Sequence, residues 1–484
     1  MTTTFPVDGI ILDRGSPANL HRQLYAQLRG LIESRALPSG SSLPSTRAMA
    51  KDLLVGRNTV IAACDQLALE GYLLLRPRTP PIVMALPSPT TLAEKPQLGS
   101  DKSLSRRGKV MVSQPYHHGK PGLLAFHPGL PDADNFPFNT WSKLLSRRAK
   151  LARHDLFGTY HVKGYPPLCL AIARYLMLSR GVTCKPEQIV ITNGAQSGFD
   201  LLARLLIDPG DTVWMEEPGY YGAGAAFLSA GAKLAALKVS DTGWDLEPPA
   251  ALPRLIFVTP SCHHPLGITM PMEQRLSLIH LAEKWSAWII EDDYDSEYRF
   301  QGHPIPALQG ISTTNRVVYV GTFAKILFPA MRLGFLVVPD ILRDGITAAL
   351  SVTGQFAPLV TQAALADFMN EGHFTRHLRR MRRLYAARRQ FFIELCDEYL
   401  KPWLGLRRTE AGIQLVGLFH GGHDDKLVAR AALAVGVNVS PLSIQYRHGS
   451  PQRGLVMGFA SADEETSRKA VLRLRQLFRT GLPH

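Results

Sequence analysis

Lys325 ends the run Gly321-Thr322-Phe323-Ala324-Lys325, directly after the apolar stretch Val317-Val318-Tyr319-Val320. Burial at a strand end disfavours the ammonium form, and a neutral amine is what imine formation with a carbonyl requires. Thr322 and Arg332 flank it with a hydroxyl and a planar fork of donors suited to a phosphate. The segment Asn193-Gly194-Ala195-Gln196-Ser197 opens a helical stretch whose first amides can meet the same anion. Glu291-Asp292-Asp293-Tyr294 follows the apolar Trp288-Ile289-Ile290. A carboxylate there can hold a pyridine nitrogen protonated, and a phenol can bond a ring hydroxyl. Tyr220, in Glu217-Pro218-Gly219-Tyr220, offers an aromatic face for stacking. Each feature alone has a commoner meaning: a solvated lysine, a strand-end cap, a packed tyrosine, a surface ion pair. All five in one chain order point to a phosphorylated pyridine cofactor held through Lys325.

The elements that must position these groups alternate from Gly122 onward. Apolar runs such as 188–192, 211–215 and 255–258 alternate with helical stretches, as in a parallel or mixed sheet covered on both faces. After about Phe374 the pattern becomes a smaller α+β lobe. Between about Ala85 and Lys120 patterning fades into Pro, Ser, Lys and Arg, which reads as a linker.

The first part of the chain carries a different chemistry. Leu20, Leu24, Leu28 and Leu31 recur at helical spacing. Leu37-Pro38-Ser39-Gly40 breaks that helix, and Ser45 offers a cap for a second. A third opens with Arg57-Asn58-Thr59-Val60 and closes near Gly71, before two short strands around Arg76-Pro77-Arg78-Thr79-Pro80-Pro81. Three helices and a hairpin suit a winged helix-turn-helix, whose recognition helix presents its first turn to base edges, Arg reading guanine and Asn adenine. A small docking module is the other reading of the same pattern.

The whole-chain numbers agree with two such parts. With 484 residues the chain is too long for one ordinary domain, and 45% hydrophobic with 19% charged residues allows a large core. No apolar run reaches membrane-spanning length, and the N-terminus lacks the pattern of a signal peptide. Five scattered cysteines exclude a disulfide framework or zinc cage and fit a reducing cytoplasm. The net charge of +14 favours contact with phosphates, and residues 14–109 hold fourteen Lys or Arg against six Asp or Glu. Seven arginines between Arg376 and Arg389 form either a second phosphate track or a solvated helix face.

Leu43-Pro44-Ser45-Thr46-Arg47, Gly56-Arg57-Asn58-Thr59-Val60 and Leu69-Glu70-Gly71-Tyr72-Leu73 together resemble the GntR-type winged helix. By that resemblance Arg47, Arg57, Asn58 and Thr59 would lie against double-stranded DNA. The wing departs from the pattern, with Pro80 and Pro81 where glycines are usual.

The cofactor constellation resembles fold-type I aminotransferases of class I over residues 122–480. Joined to the head, it resembles the MocR/GabR regulators along nearly the whole chain. The implied plan is multidomain: a winged helix-turn-helix head (1–84), a linker (85–121) and an α/β aminotransferase-like domain with a smaller α+β lobe (122–484). The implied cofactor is pyridoxal phosphate, with Lys325 forming the internal aldimine and Asp292 on the pyridine nitrogen. Tyr294 would contact the ring hydroxyl and Tyr220 would stack. Ala195, Gln196, Thr322 and Arg332 would surround the phosphate. Tyr160 would reach the partner's cofactor in a head-to-tail homodimer.

Departures bear on function. Thr259-Pro260-Ser261-Cys262-His263-His264-Pro265 replaces the family's His-Gln-aromatic with Cys262, His263 and His264. A His-His pair without a third nearby ligand predicts no metal. In Gly454-Leu455-Val456-Met457, Val456 stands where α-carboxylate-binding aminotransferases usually have arginine. Arg447 and Arg453 are the nearby candidates to replace it. The reading expected is a regulator that senses pyridoxal phosphate and an amine or amino-acid effector. The alternative is an active aminotransferase with a fused DNA-binding domain.

Overall fold

The computed structural model describes residues 9–85, 104–114, 125–151, 156–158, 160–302 and 305–480. The chain divides into two compact units, Met1–Ser103 and Leu104–His484. Among the described residues no helix is long and apolar enough to cross a membrane.

In the first unit, α1 (Leu20–Glu33), α2 (Thr46–Asp52) and α3 (Arg57–Leu69) precede a hairpin of β1 (Leu73–Leu74) and β2 (Ile82–Val83). Leu24, Leu28 and Ile32 of α1 pack in one core with Val60, Cys64 and Leu67 of α3; of the predicted stripe Leu24 and Leu28 are buried, Leu20 and Leu31 are half-buried, and Ile32 takes the third core position. Ser45 caps α2, its hydroxyl accepting the Ala48 amide at 3.2 Å, a contact worth about 1 kcal/mol. The wing is tied to the helical part through its backbone. The Pro81 carbonyl accepts the Leu43 amide at 2.8 Å, tying β2 to the loop before α2.

The second unit begins within the predicted linker. Residues 86–103 and 115–124 lie outside those described, but α4 (Arg106–Ser113) is a helix where patterning had suggested none. Ser105 caps it through the Gly108 amide at 3.0 Å, a signal lost among neighbouring serines and basic residues.

The main sheet comprises β3 (Ile189–Thr192), β4 (Thr212–Glu217), β5 (Lys233–Ser240), β6 (Gly243–Trp244), β7 (Leu255–Val258), β8 (Trp288–Asp293), β9 (Val317–Thr322) and β10 (Gly334–Val337). Its spatial order is β3-β10-β9-β8-β7-β4-β5-β6. Strands β5, β4, β7, β8 and β9 run parallel, whereas β10 is antiparallel to both β9 and β3. β7, β8, β9 and β10 are buried along their whole length, as a sheet covered on both faces requires. Lys325, Tyr294, Tyr220 and His264 all follow the carboxyl ends of parallel strands, where open α/β sheets bind ligands.

The smaller lobe holds an antiparallel sheet of β11 (Leu404–Arg407), β12 (Gln414–Phe419), β13 (Ser440–Pro441) and β14 (Gly454–Gly458), in the order β11-β12-β14-β13. The arginine-rich run lies on the long helix His373–Tyr399. Much of it clamps its own domain. Arg380 donates to the Asn135 carbonyl, Arg382 to that of Glu297, Arg388 to that of Ala460 and Arg389 to that of Thr409. Arg388 also pairs with Asp132 at 2.8 Å. These groups are spent on carbonyls and a carboxylate, which removes most of the predicted phosphate track.

Candidate functional site

The Lys325 amine donates to the Gly129 carbonyl at 2.7 Å. Burial pulls its pKa below the ordinary lysine value, while Asp295 and Asp292 oppose that shift. Gly129 has φ +62, and a Cβ there would lie 2.5 Å from the amine, so both backbone and space demand glycine.

Four acids sit within five residues at the end of β8, and the structure separates their roles. Glu291 accepts the amides of Leu308 and Gln309. Asp293 accepts Arg180 at 2.7 Å and the Tyr319 phenol at 2.6 Å, a buried pair whose disruption costs about 3–5 kcal/mol. Asp292 is buried, with Oδ1 lacking any hydrogen-bond partner among the described residues. Burial, then Asp293, Glu216 and Asp295, push its pKa well above the carboxylate range. Such a group calls for a cationic or N–H partner. Asp295, not anticipated from the sequence, is also buried with one orphan oxygen, and burial pushes it up to about 7.

Tyr294 follows Asp293 with its phenol 3.7 Å from the Cys262 thiol. Tyr220 lies across the same space, its ring meeting that of His264 edge-on at 5.4 Å. His263 and His264 part company. His263 turns to Trp244 and to Glu216, at 3.7 Å, and burial drops its pKa to about 3. His264 turns to Tyr220 and Tyr294. No group of three or more metal-ligating side chains occurs among the described residues.

A helix start bordered by Arg332 adjoins this cluster. The helix α5 (Ala195–Leu206) starts at Gly194, whose φ of +83 turns the chain into it. A Cβ on Gly194 would lie 3.6 Å from the Arg332 guanidinium, which donates to the Asn193 carbonyl at 3.1 Å. Gly334 has backbone atoms of Gly194 and Ala195 within 3 Å of any added Cβ, so β10 packs the helix start tightly. Thr322 ends β9 beside it, and Gln196 donates to the Gly222 carbonyl at 2.8 Å. Lys325, Asp292, Tyr294, Tyr220, Thr322, Arg332, Ala195 and Gln196 thus border neighbouring strand ends and one helix start.

Other expected residues stand apart. Tyr160 is 81% exposed, its ring 5.9 Å from Phe356. Arg447 donates to the Tyr221 carbonyl and to Gln114, and Arg453 to the Gly422 carbonyl near Asp424. Both line a polar cavity of about 270 Å³ with Asp424, Lys426, Ser443 and His448. Val456 is buried beside Val416 and Leu442. It pairs with Val416, so pleat alternation puts it on the β12–β14 face that also carries Gln414. Gln414 reaches His264 at 3.4 Å. An apolar side chain therefore occupies the sheet face that carries Gln414, the residue that reaches His264. In the head, Arg47, Arg57 and Asn58 are exposed and Thr59 half-buried, with Arg57 to Thr59 forming the first turn of α3.

Residues 129–474 match aminotransferase class I and II, and residues 20–83 match the bacterial regulatory proteins of the gntR family. The chain is 50% identical over 472 residues to the probable rhizopine catabolism regulatory protein MocR of Rhizobium meliloti, covering 97% of this chain and 96% of that one. The chain belongs to the MocR-type regulators. A second relative, the pyridoxine biosynthesis regulator PdxR of Corynebacterium glutamicum, is 31% identical, covering 95% and 96% of the two chains. The fold is also that of a kynurenine aminotransferase from Pyrococcus horikoshii, with TM-score 0.71 and 23% identity over 80% of this chain and all of that one. This MocR-type chain is accordingly a transcription regulator with a GntR DNA-binding domain and an aminotransferase-like domain. The orphan Asp292 carboxylate, the amine of Lys325 and the helix start beside Arg332 fit pyridoxal phosphate, the cofactor of the aminotransferase class.

Proposed function

We propose that this regulator senses an amine or amino acid through pyridoxal phosphate held at Lys325, and that occupancy changes how its head binds DNA. The observation that carries the reading is a complete amine–acid–phenol set beside a sheet face where Val456 leaves no guanidinium for an α-carboxylate. When bound, the cofactor supplies a carbonyl that condenses with primary amines and a pyridine ring that draws electrons. Lys325 would present the amine, and Asp292 would keep the ring nitrogen protonated. Tyr294 would hold the ring hydroxyl and Tyr220 would stack on the ring. The first amides of α5, at Ala195 and Gln196, would hold the phosphate with Thr322 and Arg332.

Sensing requires the effector to bind two conformations unequally. The test is a binding titration of the full chain against DNA upstream of its own reading frame, with and without pyridoxal phosphate and a panel of amines. Affinity, salt slope and footprint that stay constant across the panel would remove the sensing claim. The intact Lys325–Asp292–Tyr294 set also favours a second reading, an active aminotransferase. Sustained turnover of an amino donor and a keto acid, lost in Lys325→Ala, would establish that reading.

The same resemblance assigns double-stranded DNA to Arg47, Arg57, Asn58 and Thr59. Arg57→Ala and Asn58→Ala are each expected to weaken operator binding by about 1–3 kcal/mol, roughly 5- to 150-fold, and to relax sequence choice at one base pair. Arg47→Ala should instead lower affinity evenly across sequences and flatten the salt slope. Operator affinities equal to the parent's would refute these assignments. The exposed Tyr160 ring, resting on the partly buried Phe356, supports a head-to-tail homodimer in which Tyr160 borders the partner's cofactor. Sedimentation of the full chain at dimer mass is the expected result.

A further inference from the structure

The motif around His264 departs from the family pattern, and its geometry has a use that the roles above leave unassigned. The His264 ring stands nearly perpendicular to two phenol rings at once, at 82° to Tyr220 and 79° to Tyr294, with centroids 5.4 and 5.8 Å away. Its backbone is pinned, the His264 amide donating to the Thr259 hydroxyl at 3.0 Å. That hydroxyl in turn donates to Glu216 at 2.6 Å. The ring is oriented from the smaller lobe, where the Gln414 amide lies 3.4 Å from Nδ1. With that amide as donor, Nδ1 accepts and the imidazole proton resides on Nε2. Gln414 also reaches the Lys325 corner, since a Cβ on Gly129 would lie 3.6 Å from its Oε1 and 2.5 Å from the lysine amine.

Resting on the cofactor reading above, we propose that His264 is a ring-contact residue: its imidazole, held edge-on between Tyr220 and Tyr294, donates a second hydrogen bond beside the Tyr294 phenol to the hydroxyl edge of the pyridoxal ring. An aromatic hydrocarbon at this position would fill the same space without a donor. The histidine adds a group that stabilises the anionic ring oxygen and so sets the pH at which the bound chromophore gives up its proton. The other titratable and charged groups around this space, among the described residues, are Lys325 and Arg332 after β9, Asp292 on β8, Tyr294, Asp295 and Cys262 beside it, His263 next to His264, and Tyr220 after β4.

The experiment is a pH titration of the visible absorption of the full chain loaded with pyridoxal phosphate, in the parent, His264→Phe and His264→Asn. Losing a donor to the ring oxygen makes the proton harder to remove. His264→Phe is therefore expected to raise the midpoint by about one unit, a tenfold change in proton affinity. His264→Asn, which keeps a donor on a shorter arm, should give a smaller rise. It also carries the test if phenylalanine disturbs folding, as judged by circular dichroism. A parental midpoint in the folded variants overturns the role of His264. A parent chain with neither a visible band nor a borohydride-fixed mass at Lys325 overturns the cofactor reading itself, and the proposal with it.

Discussion

Lys325→Ala is expected to abolish the visible band that the parent gains with pyridoxal phosphate, together with the mass fixed on the chain by borohydride. The amine is unusual for a lysine. It is drawn below its ordinary pKa by burial, donates to the Gly129 carbonyl, and faces two acids with orphan oxygens. Burial raises the neutral fraction available to a carbonyl, and it prevails over the opposing pull of Asp295 and Asp292. Alanine removes the nucleophile while leaving Asp292, Tyr220 and the helix start beside Arg332 in place, so the cofactor should still bind, but reversibly and at least about tenfold more weakly. DNA affinity without cofactor should match the parent, and the response to amines should vanish. Intact mass spectrometry decides the matter: an adduct that persists on another lysine would take the site away from Lys325. Gly129→Ala offers a milder check, because its Cβ would intrude on the amine and strain a φ of +62.

Much of this site was legible because its residues follow strand ends in order, and buried parallel strands announce themselves as apolar runs. The head was legible for a similar reason, the stripe Leu24, Leu28 and the inward Val60, Cys64 and Leu67 all burying as their spacing requires. What sequence order hides is contact made across the fold. Gly129, Gln414 and His264 come from three distant segments and meet only when the smaller lobe closes on the main sheet. Sequence alone favoured Asp292 over Asp293 only by resemblance. The physical reason is Arg180 and Tyr319, which claim Asp293 and leave Asp292 with an unsatisfied oxygen. Likewise the arginines of the long helix fitted either a phosphate track or a solvated face in sequence, and four of them instead reach carbonyl partners 20 to 245 residues away.

Asp292→Asn should separate stability from ligand response. A buried carboxylate whose folded pKa is raised above its unfolded value of about 3.9 favours folding only while protonated. Its contribution is fully present below the unfolded pKa and is lost as pH rises through the folded one. Asp295 and Glu216, each pushed up to about 7 by burial, add to the same loss. The cofactor-free chain should therefore lose thermal stability progressively from about pH 4 to about pH 7. Asparagine keeps the shape and removes one of these charges, so at pH 8 the cofactor-free variant is expected to be more stable than the parent by about 1–3 kcal/mol. With pyridoxal phosphate the order should reverse. The neutral amide cannot hold the ring nitrogen protonated, so the rise in melting temperature on loading should shrink relative to the parent's. Differential scanning calorimetry at pH 6 and pH 8, with and without cofactor, reads all four values. An asparagine variant less stable than the parent without cofactor at pH 8 would show that Lys325 already neutralises Asp292, and that no charge is held in reserve for the ring.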